Sequence, residues 1–486
     1  EAATAFWNPD ASVATWAEMP VPSNWIRHGY GRYQYADEEY NFQMNVPHPP
    51  TTDNPVSSYV RDFDLPAEWA EQRIVLHFGS VRTAFYVWVN GVQVGYSEDS
   101  RLPAEFEVTN FVRPGRNRVA IQVIQWPDAA YLEGQDMWRQ GGVERGVYLY
   151  ATPHNYVRDY FVRAGLADDY TTGTYDLDVE VACPAEQGRA SVRFSLLEPT
   201  GRTVQTMTRR CVSGQASRVN FEGRLPNVRR WTAETPNLYV GLIELVGPRG
   251  DVITAVSSDI GFRRVEIRDG QLQVNGRPIF IRGVNRQEFD PETLHVVSRE
   301  SMERDVALMK QLNINALRLS HYPNDPYIYE LADRYGLYVV DEANVESHEA
   351  MNVGDNLADR PEFREAHMDR MRRMVERDKN HPSVIIWSLG NEAGSGAAFQ
   401  AMYDWVKAYD PSRPVQYEAA GDSARNHRPA AFPRPRRGAG AGTAAHPRPR
   451  ARDQARRPAR GGIGERMMEE GRRGELPTWA RFAATS

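Results

Sequence analysis

Cysteine is almost missing from this 486-residue chain; Cys183 and Cys211 are the whole supply. Two thiols so placed make neither a zinc pattern nor a disulfide framework, which excludes a small stapled secreted fold. Buried free thiols and a reduced, cytoplasmic setting are the expectation. Long apolar runs are missing too: nothing approaches the ~20 residues of a membrane span, so no membrane is expected as a partner. Lysine is confined to Lys310, Lys379 and Lys407 against many arginines, a bias typical of GC-rich coding sequence. Positive charge is not in excess, because 58 basic and 64 acidic side chains leave a net charge of −6. Nucleic acid is therefore not an expected partner. An initiator Met is absent as well, and the natural N-terminus is expected to lie upstream of Glu1.

What is present is a change of rhythm along the chain. At ~150 residues per domain, about three domains are expected. Residues 1–155 read as short alternating strands such as RIVLHFGS and TAFYVWVNGVQVGYS. Asn90-Gly91 within the second marks a tight hairpin. An antiparallel sandwich follows. Residues 156–263 continue with about seven more such strands, which suggests an immunoglobulin-like sandwich.

After residue 264, short buried strands alternate with helices. Strands are expected at 278–285, 315–321, 337–344, around SVIIWSLGNEAG (383–394) and at 414–418. Helices are expected near 298–313, 325–335, 362–379 and 397–408. This pattern means parallel βα units, and GVNRQE is not the Gly-rich turn of a dinucleotide fold, so a (β/α)8 barrel is favoured. Between Arg425 and Gly462 there is no Ile, Leu, Val or Tyr. Such a segment cannot bury enough apolar surface to offset chain entropy. Residues 422–486 are therefore read as a disordered tail with the composition of out-of-frame translation.

Barrel enzymes carry their chemistry at the C-terminal ends of strands, and in this chain those ends are polar. The first carries Asn285, Arg286, Gln287 and Glu288, and the second Arg318 and His321. The third carries Asp341, Glu342, Asn344, Glu346 and His348, and the fourth Asn391 and Glu392. Carboxylates and amides suit sugar hydroxyls, and glycosidic cleavage needs two carboxyl groups. Glu346, His348 and Glu392 offer oxygen and imidazole to a hard divalent ion such as Mg²⁺; an ordinary hydrogen-bonded loop is the alternative.

FIRGVNRQE, LRLSHYPND, DRYGLYVVDEANVESH and RDKNHPSVIIWSLGNEAG resemble the β-galactosidases of glycoside hydrolase family 2. So do WTAETPNLY, DPSRPVQYE, VPSNWIRHGY and YLEGQDMWRQGG, from about residue 20 to 421. The resemblance implies a jelly-roll domain, an immunoglobulin-like domain and a (β/α)8 barrel. It implies retaining hydrolysis of terminal β-linked galactose in lactose-like substrates, by a homo-oligomer. By resemblance, Glu392 is the general acid/base and Asn391 its sugar-contacting neighbour. Glu346, His348 and Glu392 are magnesium ligands. His321 contacts galactose hydroxyls and Arg318 supports the nucleophile. Asp136 reaches from the first domain to a hydroxyl and a sodium ion, and Asn54 is a second reaching residue.

Gln287 stands where the family has His; it is expected still to bind a sugar hydroxyl by hydrogen bonding, but it cannot take a positive charge. The family's nucleophilic Glu belongs to a seventh barrel strand, whereas the pattern here ends after about the fifth. Glu465, Glu469, Glu470 and Glu475 end no buried strand and are not assigned to that role. The expectation is a truncated chain with an incomplete barrel and little or no activity. A β-glucuronidase or β-mannosidase of the same family, or a non-catalytic carbohydrate-binding remnant, are the alternatives.

Overall fold

The computed structural model describes residues 5–183, 190–211, 215–420, 473–475 and 479–485. Its first unit is a β-sandwich. One sheet runs, in spatial order, Ala17–Pro20, Trp479–Thr485, Val56–Leu65, Gly115–Ile124, Ala84–Val89 and Val92–Glu98. The facing sheet places Arg73–Phe78 between Val147–Thr152 and Ala104–Glu107. Period-2 alternation turns Val87, Val89, Ile121 and Val123 into the core they share with Ile74 and Leu76. The hairpin forms at Asn90-Gly91, both with positive φ as the tight turn requires.

The second unit packs a three-stranded sheet (Tyr156–Leu166, Gly173–Cys183, Gln215–Leu225) on a four-stranded one. Gly173–Cys183 alternates buried and half-buried at every residue. Both thiols are free, with Cys183 buried and Cys211 half-buried.

The third unit carries a parallel sheet in which spatial and chain order coincide: Gly283–Arg286, Ala316–Leu319, Tyr338–Glu342, Val384–Ser388 and Val415–Gln416. This is a partial barrel. Its helices are Arg299–Gln311, Pro326–Tyr335, Arg364–Asp378 and Ala397–Tyr409. The Ser298 and Asp325 side chains cap the first two, accepting from the Ser301 and Tyr327 N–H groups. The first strand starts later than the sequence suggests, because Arg277–Pro278 belongs to a separate antiparallel sheet with Gln271–Val274.

The tail departs from the expectation of disorder at two places. Arg473–Glu475 pairs with Val147–Thr152, and Trp479–Thr485 lies between Ala17–Pro20 and Val56–Leu65, antiparallel to both. Val56–Leu65 without a neighbour here would present a long row of unpaired backbone groups. The last strand satisfies them at Val56 through Val60. The Arg/Pro/Gly/Ala-rich run lies outside the described residues, and with it the rest of that expectation.

The first unit and the barrel meet through buried charge. Arg145 reaches Glu288 at 2.7 Å, and Arg370 reaches Glu133 at 3.1 Å. Asn344 donates to both Asp99 and Glu133.

Candidate active site

Strand Val384–Ser388 is buried at every position, and the chain leaves it through Leu389 and Gly390 to reach Asn391 and Glu392. The exit is tight. Gly390 has φ +147°, and a Cβ there would lie 2.6 Å from the Val345 carbonyl oxygen. Glu392 has φ +29°, a region that costs a non-glycine residue ~1–3 kcal/mol. Its backbone N–H donates to Glu418 Oε1 at 3.2 Å. This holds the Glu392 side chain, 39% exposed, at the open rim.

Asn391 is the hub. Its Nδ2 donates to Glu346 Oε2 and to Glu392 Oε2, each at 3.1 Å, while its Oδ1 accepts from Arg318 at 3.0 Å. Arg318 in turn grips fully buried Glu342 through two hydrogen bonds of 2.9 Å. The same carboxylate takes His321 Nδ1 at 2.7 Å and the Ser388 hydroxyl at 2.7 Å. A carboxylate in such a set only accepts, so His321 Nδ1 carries a proton and donates it to Glu342, leaving Nε2 as the ring nitrogen without that bond.

Asp136, Glu346 and His348 bring one potential ligand atom each within 4.8 Å of one another. Asp136 Oδ1, Glu346 Oε1 and His348 Nδ1 are buried without a hydrogen-bond partner. Three orphaned ligand atoms of this kind fit a hard cation, since their desolvation is otherwise uncompensated. Glu392 Oε2 lies 3.5 Å from His348 Nδ1, on the edge of this group. Asp136 thus stands within reach of Glu346 and His348. Burial pushes the Glu346 carboxyl up to about 7, helped by the Glu392 and Asp136 carboxylates and opposed by His321 and the Asn391 amide. Burial and the neighbouring Asp37 carboxyl also raise Asp136.

The first unit is wired into this group through its backbone. Glu346 N–H donates to the Leu132 carbonyl and Gly134 N–H to the Glu346 carbonyl, both at 2.8 Å. Gln287 Nε2 donates to the Asp136 carbonyl at 3.2 Å. Asn54 sits in a loop of the first unit. Its amide closes a loop against the Trp126 backbone on both sides and the Pro50 carbonyl. Asp37, which hydrogen-bonds to the Asp136 carboxyl, is the residue the sequence reading passed over. Its only signal was an acidic ADEEY loop following an aromatic stretch.

Residues 2–153 match the sugar-binding domain of glycosyl hydrolases family 2, residues 155–263 a further domain of glycosyl hydrolases family 2, and residues 265–430 its TIM-barrel domain. The chain is 43% identical over 418 residues to a β-galactosidase of Photobacterium profundum, covering 84% of this chain and 40% of that protein. It is 45% identical over 413 residues to a β-galactosidase of Pseudoalteromonas haloplanktis, covering 84% and 39%. The chain thus spans about two-fifths of the length of the curated relatives it matches. Among solved structures, a β-glucuronidase of Bacteroides uniformis superposes with a TM-score of 0.73 at 21% identity, over 86% of this chain and 51% of the other. That likeness carries the fold alone.

Proposed function

Because the chain belongs to glycosyl hydrolases family 2, we propose that its barrel rim is the acid/base half of a β-galactosidase site, working on terminal β-linked galactose in lactose-like substrates. The observation that carries this reading is Asn391, which ties Glu392, Glu346 and Arg318 into one rim cluster. Glu392 is the group exposed enough to reach a glycosidic oxygen. It protonates the leaving oxygen and afterwards takes a proton from water. Asn391 and His321 Nε2 offer hydrogen bonds to the sugar hydroxyls, and Gln287 steadies the Asp136 backbone.

A divalent ion such as Mg²⁺ would be held by Glu346 and His348, with Glu392 alongside. Asp136 offers a further oxygen, to that ion or to Na⁺. Once bound, such an ion supplies positive charge that keeps Glu346 ionised. A retaining mechanism also needs an attacking carboxylate. Among the described residues the nearby candidates are committed: Glu342 to Arg318, His321 and Ser388, and Glu418 to the Glu392 backbone. This chain is therefore expected to bind galactosides without rapid turnover.

The lining also argues against a uronic acid as the sugar. Glu346, Glu392, Asp136 and Asp37 are all acidic, and Arg318, which bonds Asn391, is also gripped by Glu342. Competitive binding tests the reading by saturation-transfer NMR. Galactose should bind and glucuronic acid should not, and Asn391→Ala should abolish the galactose signal. Preference for glucuronic acid, or galactose binding indifferent to Asn391→Ala, would overturn it.

A further inference from the structure

The chain's two cysteines meet inside the second unit, one from each sheet. Cys183 is the last residue of Gly173–Cys183, the middle strand of the three-stranded sheet. The alternation that buries Tyr175, Leu177, Val179 and Val181 turns Cys183 onto the same inward face. Cys211 follows Thr203–Arg210, an edge strand of the four-stranded sheet, and its N–H donates to the Ala190 carbonyl at 3.0 Å. Its half-buried side chain packs against the core that holds Cys183. The two thiols hydrogen-bond to one another across the sandwich.

A thiol that only fills space behaves as a small apolar side chain and needs no second thiol beside it. Here two sulfurs from different sheets are in contact, and one of them reaches solvent while the other does not. That is the arrangement of an attacking thiol backed by a resolving thiol. Metal binding fits less well: among the described residues, neither thiol belongs to a group of three metal-ligating side chains. Burial pushes both thiols up, Cys211 to about 12 with help from Cys183, so the resting pair is neutral and exchanges slowly.

We propose that Cys183 and Cys211 are a reversible oxidation site, closed into a cross-sheet disulfide by a low-molecular-weight disulfide such as oxidised glutathione. The Cys211 thiol gives its proton to water, and its sulfur bonds to one sulfur of the reagent. The reagent's S–S bond breaks, and the first thiolate leaves and takes up a proton. Cys183 then loses its proton and attacks the Cys211 sulfur, expelling the second thiolate. Two protein S–H bonds become one S–S bond, and the reagent carries away two electrons and two protons as two thiols. The new bond closes a loop of about 28 residues, which lowers the unfolding constant of the second unit by roughly 10²–10³-fold.

The 486-residue chain, incubated for hours with about 1 mM oxidised glutathione, acid-quenched, alkylated and mapped by mass spectrometry, tests this. The expected product is a Cys183–Cys211 disulfide within one chain, lost again on adding dithiothreitol. In the oxidised protein, amides of Gly173–Cys183 and Thr203–Arg210 should exchange hydrogen at least ~10-fold more slowly than in the reduced one. Cys183→Ala should stop at a single glutathione on Cys211, and Cys211→Ser should take up none, because its remaining thiol is buried. The wild-type map decides alone should either variant fail to fold. Two thiols that stay free, a disulfide formed between chains, glutathione held on Cys183, or equal hydrogen exchange in the two forms would overturn the proposal.

Discussion

Glu346 is fully buried, one of its oxygens has no hydrogen-bond partner, and its carboxyl is pushed from 4.5 up to about 7. A carboxyl whose folded pKa is raised favours the fold when protonated. Its contribution is complete below about 4.5 and is lost as pH rises through about 7. At about 1.4 kcal/mol per unit, the metal-free protein should lose about 3 kcal/mol from this one group between acid and pH 8. Glu346→Gln keeps the shape and the neutral state, so it should escape that loss.

The difference between the two proteins, taken at each pH, cancels groups they share. Urea unfolding in the presence of a chelator, followed by tryptophan fluorescence, would measure it. The variant should be more stable by about 3 kcal/mol at pH 8, and by about 1 kcal/mol or less at pH 5. Added Mg²⁺ should reverse the order. A cation at 100 times its Kd stabilises the wild type by about 2.7 kcal/mol, and the variant, lacking the anionic ligand, gains little. Parallel pH curves for the two proteins, or equal stabilisation of both by Mg²⁺, would refute the reasoning.

Other perturbations probe other joints. In any preparation that turns over a nitrophenyl β-galactoside, Glu392→Gln should lower kcat by about 10²–10⁴-fold, measured at saturating substrate. Gly390→Ala drives a methyl group into the Val345 carbonyl at φ +147° and should cost at least ~1–3 kcal/mol by urea unfolding. Arg145→Ala leaves Glu288 buried without its 2.7 Å partner. It should destabilise by ~3–5 kcal/mol, part of which returns in the Arg145→Ala/Glu288→Ala double variant. Removing residues 479–486 should speed hydrogen exchange along Val56–Val60, whose pairing partners are then gone.

The barrel segment was the most legible part of the sequence. Helix starts such as Ser298 and Asp325-Pro326 carry their own caps, and the run VIIWS is buried throughout, so pattern and packing agree. The rim residues were legible for the same reason, since a strand's C-terminal end is fixed once the strand is. Among residues brought in from the first unit, Asp136 was marked by its YLEGQDMWRQGG motif, whereas Asp37 was not. Asn54 and Asp37 both sit in polar loops of the first unit, and nothing local distinguishes them. The register Ala36 with Met137 decides that Asp37, not Asn54, meets Asp136.

The last strand was hidden by averaging. A tail poor in apolar residues overall masks a short WARFAAT stretch at its end, and that stretch finds partners in two strands of the first sandwich more than 400 residues earlier in the chain. Both misses have one physical origin. Non-local pairing depends on which edges the rest of the fold leaves open, and that information sits in the partner strand. The same logic gives the first unit its place in the chemistry: Asp136 reaches the ligand group because Leu132 and Gly134 form a bridge to Glu346. Loosening that bridge should therefore displace Asp136 before it disturbs Asn391 or Glu392, which hang on the barrel's own strand.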